Sequence, residues 1–143
     1  MATTKQAVAA APRSIEWTGR GIRTLKDLPG GRGVDEMTSH VDVTEAIRST
    51  ALVGWQVPVA GAYACVLAAR SVLDGAPHDC YTRLLYAARA VRDAAPDDHE
   101  LAGAVKRMLA AGDRANGPVN GTDHVVEEME AEAARLHEEL GSR

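Results

Sequence analysis

A chain of 143 residues, 45% hydrophobic and 25% charged, has the length and balance of one globular domain with a core of its own. A formal charge of −4 argues against the clustered Lys and Arg that a nucleic-acid backbone requires, so no nucleic-acid partner is expected. With aromatic residues at 3% and Phe absent, the core must be built from Ala, Val, Leu, Ile and Met, a set that suits close-packed helices.

The first segment, "MATTKQAVAAAPR" over 1–13, lacks the apolar stretch of a signal peptide and reads as a flexible tail. From Ser14 to His40 the pattern is β. In "SIEW", Ile15 and Trp17 share one face, "TGRG" supplies a turn and "IRTLKDL" a second strand. "PGGRG", Pro29 to Gly33, is the next turn and "VDEMTSH" the third strand. From Asp42 onward the pattern is helical. Asp42 and Glu45 form a D-x-x-E capping box, so a helix is expected from Val43. A second helix is expected from Pro58 to Gly75. It follows a stretch without charge from Ala51 to Ala69, but its apolar run is too short for a bilayer and is interrupted by Gln56, Pro58 and Gly61. A buried core helix, and no membrane partner, is the expectation. The third helix begins near His78 and places Tyr81, Leu84, Leu85, Ala88 and Val91 on one face until Pro96 breaks it. Asp97 and Glu100 form a second capping box before Leu101, Ala104, Val105 and Met108, and Gly112 to Gly121 reads as a loop. The last helix runs from Asp123 to Leu140, with Val126, Met129, Ala133, Leu136 and Leu140 in a narrow seam. That seam has two uses: packing on the chain's own core, or docking a partner, including self-association through Val126, Met129, Leu136 and Leu140. The expected fold is mainly α (α+β): a small N-terminal antiparallel β-meander followed by a compact bundle of about five helices, one domain over 14–141.

Four motifs in order carry a resemblance. "SIEWTGRGIRTLKDLP", "VTEAIRSTALVG", "AGAYACVLAAR" and "PDDHELAGAVKRML" resemble, respectively, the opening hairpin, the helix and Val-Arg-Gly loop, the Ala-rich helix and the Arg-Pro-Thr helix of one family's N-terminal domain. That family is the methylthioribose-1-phosphate isomerases, with the ribose-1,5-bisphosphate isomerases and the regulatory subunits of a translation-initiation exchange factor. The resemblance implies a ligand site around Val53, Gly54, Trp55, Tyr63 and Ala95.

The departures from the family pattern decide the functional expectation. The family's loop Arg helps hold the sugar phosphate; its place is taken by Val53, beside a retained Gly54. The second Arg matches Ala95, and the family's Asn matches Glu100. A phosphate dianion needs donors and positive charge, and these positions offer methyl groups and a carboxylate. The family's catalytic Cys and Asp lie in a C-terminal α/β domain beyond the region of resemblance, and Cys65 and Cys80 match neither. The expectation is a stand-alone, degenerate domain that is no sugar-phosphate isomerase by itself, acting as a non-catalytic or partner-dependent module; it would dock a separate protein, one supplying the α/β domain, through the seam of the last helix or the edge of the meander. The alternative is a small enzyme or ligand-binding protein of specialised metabolism, reusing the altered pocket for an apolar, non-phosphorylated molecule, with Asp98 and Glu100 as catalytic candidates and Trp55, Tyr63 and Tyr86 as pocket walls. Capping explains the acidic residues, and cavity filling explains Trp55, without any such activity. The adjacent His78, Asp79 and Cys80 point in different directions on a helix and form no triad. "PGGRG" lacks the Lys-Ser/Thr of a phosphate loop. The five His show no ligand spacing, so neither metal nor cofactor is expected. Two Cys without a motif fit a reduced, cytoplasmic setting.

Overall fold

The computed structural model describes residues 14–28, 30–71, 77–115 and 122–141. The tail expected over 1–13 and the helix stop expected at Gly75 lie outside the described residues. Three strands, β1 (Ser14–Trp17), β2 (Ile22–Leu28) and β3 (Gly31–Met37), form an antiparallel meander in the order β1-β2-β3. Trp17 pairs with Ile22, and Ile22 in turn with Met37, which turns Ile15, Ile22 and Thr24 toward the core. Gly21 is required by a close approach: a Cβ there would stand 2.4 Å from the Met37 carbonyl oxygen. The turn expected over Pro29–Gly33 is shorter than read, because Leu28 already pairs with Gly31. The third strand ends at Met37, so of "TSH" Thr38 is a connection, Ser39 the cap of the next helix and His40 its first residue.

Five helices follow: α1 (His40–Arg48), α2 (Gln56–Arg70), α3 (Pro77–Asp93), α4 (His99–Ala115) and α5 (Thr122–Gly141). The first begins three residues before the expected Val43. Its cap is Ser39, whose hydroxyl accepts from the Asp42 N–H at 3.2 Å, so Asp42 sits in the first turn, where its charge suits the helix dipole. Pro58 likewise lies inside the first turn of α2, where a missing N–H costs nothing. Every residue of α2 from Gln56 to Ala69 is buried, which accounts for the uncharged stretch: this is the central helix. Among the described residues no helix is long and apolar enough to cross a membrane.

On α3, Leu84, Ala88 and Val91 are buried, but Leu85 is 44% exposed, one position off the buried stripe. His78, Asp79 and Cys80 fall in its first turn, and their side chains lie outside the described ones. The second capping box is also displaced. The cap of α4 is Asp98, whose Oδ1 accepts from the Leu101 N–H at 2.9 Å, rather than Asp97. Asp98→Ala is therefore expected to cost about 0.5–2 kcal/mol, and Asp97→Ala close to nothing, in denaturant melts. The loop expected from Gly112 starts later, since α4 continues to Ala115 and Gly112 is buried in it. A Cβ at Gly112 would lie 3.2 Å from Leu84 Cδ2 and 3.3 Å from Met129 Sδ, so α3 and α5 close directly onto α4 there.

The seam of α5 is spent inside the chain. Val126, Met129, Ala133, Leu136 and Leu140 are all buried in the single core cluster, together with Val125. Self-association through Val126, Met129, Leu136 and Leu140 therefore has no free face here, because the amphipathic stripe is already covered. The acidic side of α5 is partly used as well. Glu132 accepts from Arg107 of α4 and from Arg135 at 2.6 Å, with Arg114 at 3.6 Å. Arg107 also holds both oxygens of Glu139, at 2.7 and 3.1 Å. The bond from Arg135, reinforced by Arg107, keeps the Glu132 carboxyl below the usual carboxylate range.

Candidate functional site

The loop between α1 and α2 turns on Gly54, which holds φ +56 in the left-handed region. Its backbone is spent on the start of α2: the Val53 carbonyl accepts from Gln56 and the Gly54 carbonyl from Val57, at 3.1 and 3.2 Å. The Val53 N–H donates to Gln56 Oε1 at 3.2 Å. The Val53 side chain, 50% exposed, offers solvent only methyl groups.

Behind this loop stands a column of rings assembled from three distant parts of the chain. Trp55 stacks on His137 of α5, with centroids 5.9 Å apart and 24° between planes. His137 meets Tyr63 of α2 edge-on at 5.6 Å, and the Tyr63 hydroxyl lies 3.1 Å from its Nδ1. Tyr63 stacks nearly parallel on Trp17 of β1, at 4.7 Å and 5°. The Trp17 indole donates to Glu130 of α5 at 2.6 Å, and the Arg70 guanidinium lies 6.0 Å from its ring centre while donating to the Gly19 carbonyl. Such contacts add specific geometry to apolar burial.

Burial pushes the Tyr63 phenol up to about 12, with the Glu130 charge adding in the same direction. The folded state thus keeps a proton that the unfolded chain releases near pH 10, and this contribution to stability is lost as pH rises from about 10 through 12. An alkaline absorbance titration is expected to show a late-ionising component that Tyr63→Phe removes. Burial also lowers the His137 pKa, so its imidazole is neutral at neutral pH.

The second expected segment precedes α4. A Cβ on Gly61 of α2 would strike Leu101 in the first turn of α4 at 2.4 Å, so the two helices pack closely at that point. A shallow cavity there is lined by Ala95, Pro96, Asp97, Asp98, His99 and Glu100. No Lys or Arg is among those six, and Asp98, one of the two catalytic candidates, is committed to capping. The lining does not extend to Val53, Gly54 or Trp55. Tyr86 does not join the pocket wall read for it: it is 71% exposed on α3 and borders another cavity, with His40 and Arg83.

Cys65 is fully enclosed in α2, and burial pushes its thiol up to about 12, so it provides no thiolate nucleophile at neutral pH. Among the described residues no group of three or more His, Cys, Asp or Glu is placed to hold a metal ion. Trp17, His137 and Glu130 were not legible as site residues, because each meets its partner across a long stretch of sequence and no local spacing marks it.

A three-stranded meander on a five-helix bundle, with a glycine loop opening the central helix, has the architecture of the N-terminal domain found in methylthioribose-1-phosphate isomerases and eIF-2B subunits. No protein-family model matches the chain. In sequence it is similar to a methylthioribose-1-phosphate isomerase of Pelotomaculum thermopropionicum, 34% identical over 100 residues, which are 67% of this chain and 28% of that protein. In structure it is similar to the translation initiation factor eIF-2B, subunit delta, of A. fulgidus, with a TM-score of 0.77 and 28% identity over 90% of this chain and 37% of that one. The 5-methylthioribose 1-phosphate isomerase of Pyrococcus horikoshii shares the fold, with a TM-score of 0.78 at 17% identity, over 94% of this chain and 38% of its own. The chain thus spans well under half the length of each of these three proteins.

Proposed function

We propose that this domain is a degenerate counterpart of the isomerase N-terminal domain, acting as a non-catalytic or partner-dependent module in the cytoplasm. One observation carries the reading: where the resemblance puts two phosphate-holding arginines, the chain has an exposed Val53 and an Ala95 beside a cavity edged by Asp97, Asp98 and Glu100. A sugar phosphate entering there meets carboxylates and no guanidinium. Enclosure of Cys65 supports the same reading. A separate α/β domain is the partner the resemblance calls for.

The alternative, a small binder or enzyme of specialised metabolism using an apolar pocket, asks for open space beside Trp55 and Tyr63. Stacking of Trp55 on His137, and of Tyr63 on Trp17, favours filling over vacancy. Restoring the charges tests the module reading. Each charge-assisted hydrogen bond contributes about 1.5–3 kcal/mol, so Val53→Arg with Ala95→Arg is expected to raise affinity for methylthioribose 1-phosphate by roughly a hundredfold or more. Equal titrations of the double variant and the unaltered chain would count against the assignment of these two positions.

A further inference from the structure

We infer that the free edge of β3, with the groove between it and α1, docks an extended basic segment of a protein partner. Among the described residues the meander leaves β3 with a neighbouring strand on one side only. Two contacts fix which way its backbone faces. The Asp35 carbonyl accepts from the Thr24 hydroxyl at 3.4 Å, and the Met37 carbonyl abuts Gly21, so both point toward β2. By alternation, the N–H and C=O groups of Val34 and Glu36 face away from it, along the open edge. Val34 is 59% exposed there.

Beside that edge runs a groove of about 390 Å³, where the inner face of the sheet meets α1 and the loop after it. Its floor is apolar, from Met37, Ala46 and Leu52; Asp35, Asp42 and Glu45 stand along its rim, and Glu36, one position on from Asp35, lines it while its side chain alternates to the other face of the sheet. Glu45 is shared with Arg48 at 3.2 Å, an exposed pair that screens little of the rim. A strand added to β3 would take main-chain hydrogen bonds from the edge and turn alternate side chains into the groove. Lys or Arg suits those positions, because the aliphatic stem covers the floor while the charged head reaches the rim. An acidic segment would be repelled by the rim.

This deepens the module reading by giving the partner a chemistry, and it uses none of the residues at Val53 or Ala95. The two fail separately, since sugar-phosphate binding would overturn the first and leave this surface untouched. The test is fluorescence anisotropy with an acetylated peptide of about ten residues alternating Lys and Val. Saturable binding that weakens with salt is expected, with a loss of at least about tenfold for Asp42→Lys with Glu45→Lys, and the same loss when alternate peptide nitrogens are methylated. The charge-reversed variant is expected to take up the matching Glu/Val peptide. Both substituted positions are exposed, and circular dichroism checks that the variant folds; Asp42→Asn provides a milder change in the same direction. Absence of binding, indifference to charge reversal or to methylation, or a dimer of the chain that occupies this edge and excludes the peptide would each overturn the inference.

Discussion

Leu136→Glu is expected to abolish cooperative folding, not to leave a folded chain that has lost a partner. Leu136 lies 6% exposed in the core cluster, on the face of α5 that packs against the rest of the bundle. Truncating such a side chain costs about 2–5 kcal/mol, and placing a carboxylate there adds a desolvation penalty. Against a typical domain stability of about 5–15 kcal/mol, the sum removes most or all of it. A thermal melt by circular dichroism distinguishes the cases. The same substitution on a free docking face would leave the melt within about 0.5 kcal/mol of the parent.

Tyr63→Ala is expected to be nearly as damaging. The side chain is 3% exposed, stacked on Trp17 and bonded to His137, so its removal opens a cavity at the junction of β1, α2 and α5. A loss of about 3–5 kcal/mol is expected, against about 0.5–1.5 kcal/mol for Tyr63→Phe, which removes only the hydroxyl's bond. Both tryptophans, Trp17 and Trp55, belong to this column, so their fluorescence reports on it directly. Equal losses for Ala and Phe would show that the ring itself contributes nothing.

What the sequence disclosed followed from local physics. The alternation in "SIEW" and the seam of α5 each record a single face meeting the core, and the uncharged run before Ala69 records a helix buried on all sides. Helix starts were less legible, because Ser39 and Asp42, like Asp97 and Asp98, supply neighbouring residues that can all cap, and only backbone geometry selects one. Leu85 shows the limit of periodicity: it lies one residue from the buried Leu84 and yet faces solvent. Of the candidate site, Val53, Ala95 and Glu100 could be named only through the resemblance, whose pattern has charged or amide residues at those positions. The ring column could not, because Trp17 reaches Glu130 across 113 positions and Tyr63 reaches His137 across 74. Nor does the alternation of β3 say that its outer edge is left open; that depends on the order of the strands.

The central claim is that the altered positions leave this domain unable to hold a sugar phosphate. Isothermal titration of the unaltered chain with methylthioribose 1-phosphate tests it most directly. The account predicts no saturable heat up to millimolar ligand; a stoichiometric isotherm in the micromolar range would contradict it.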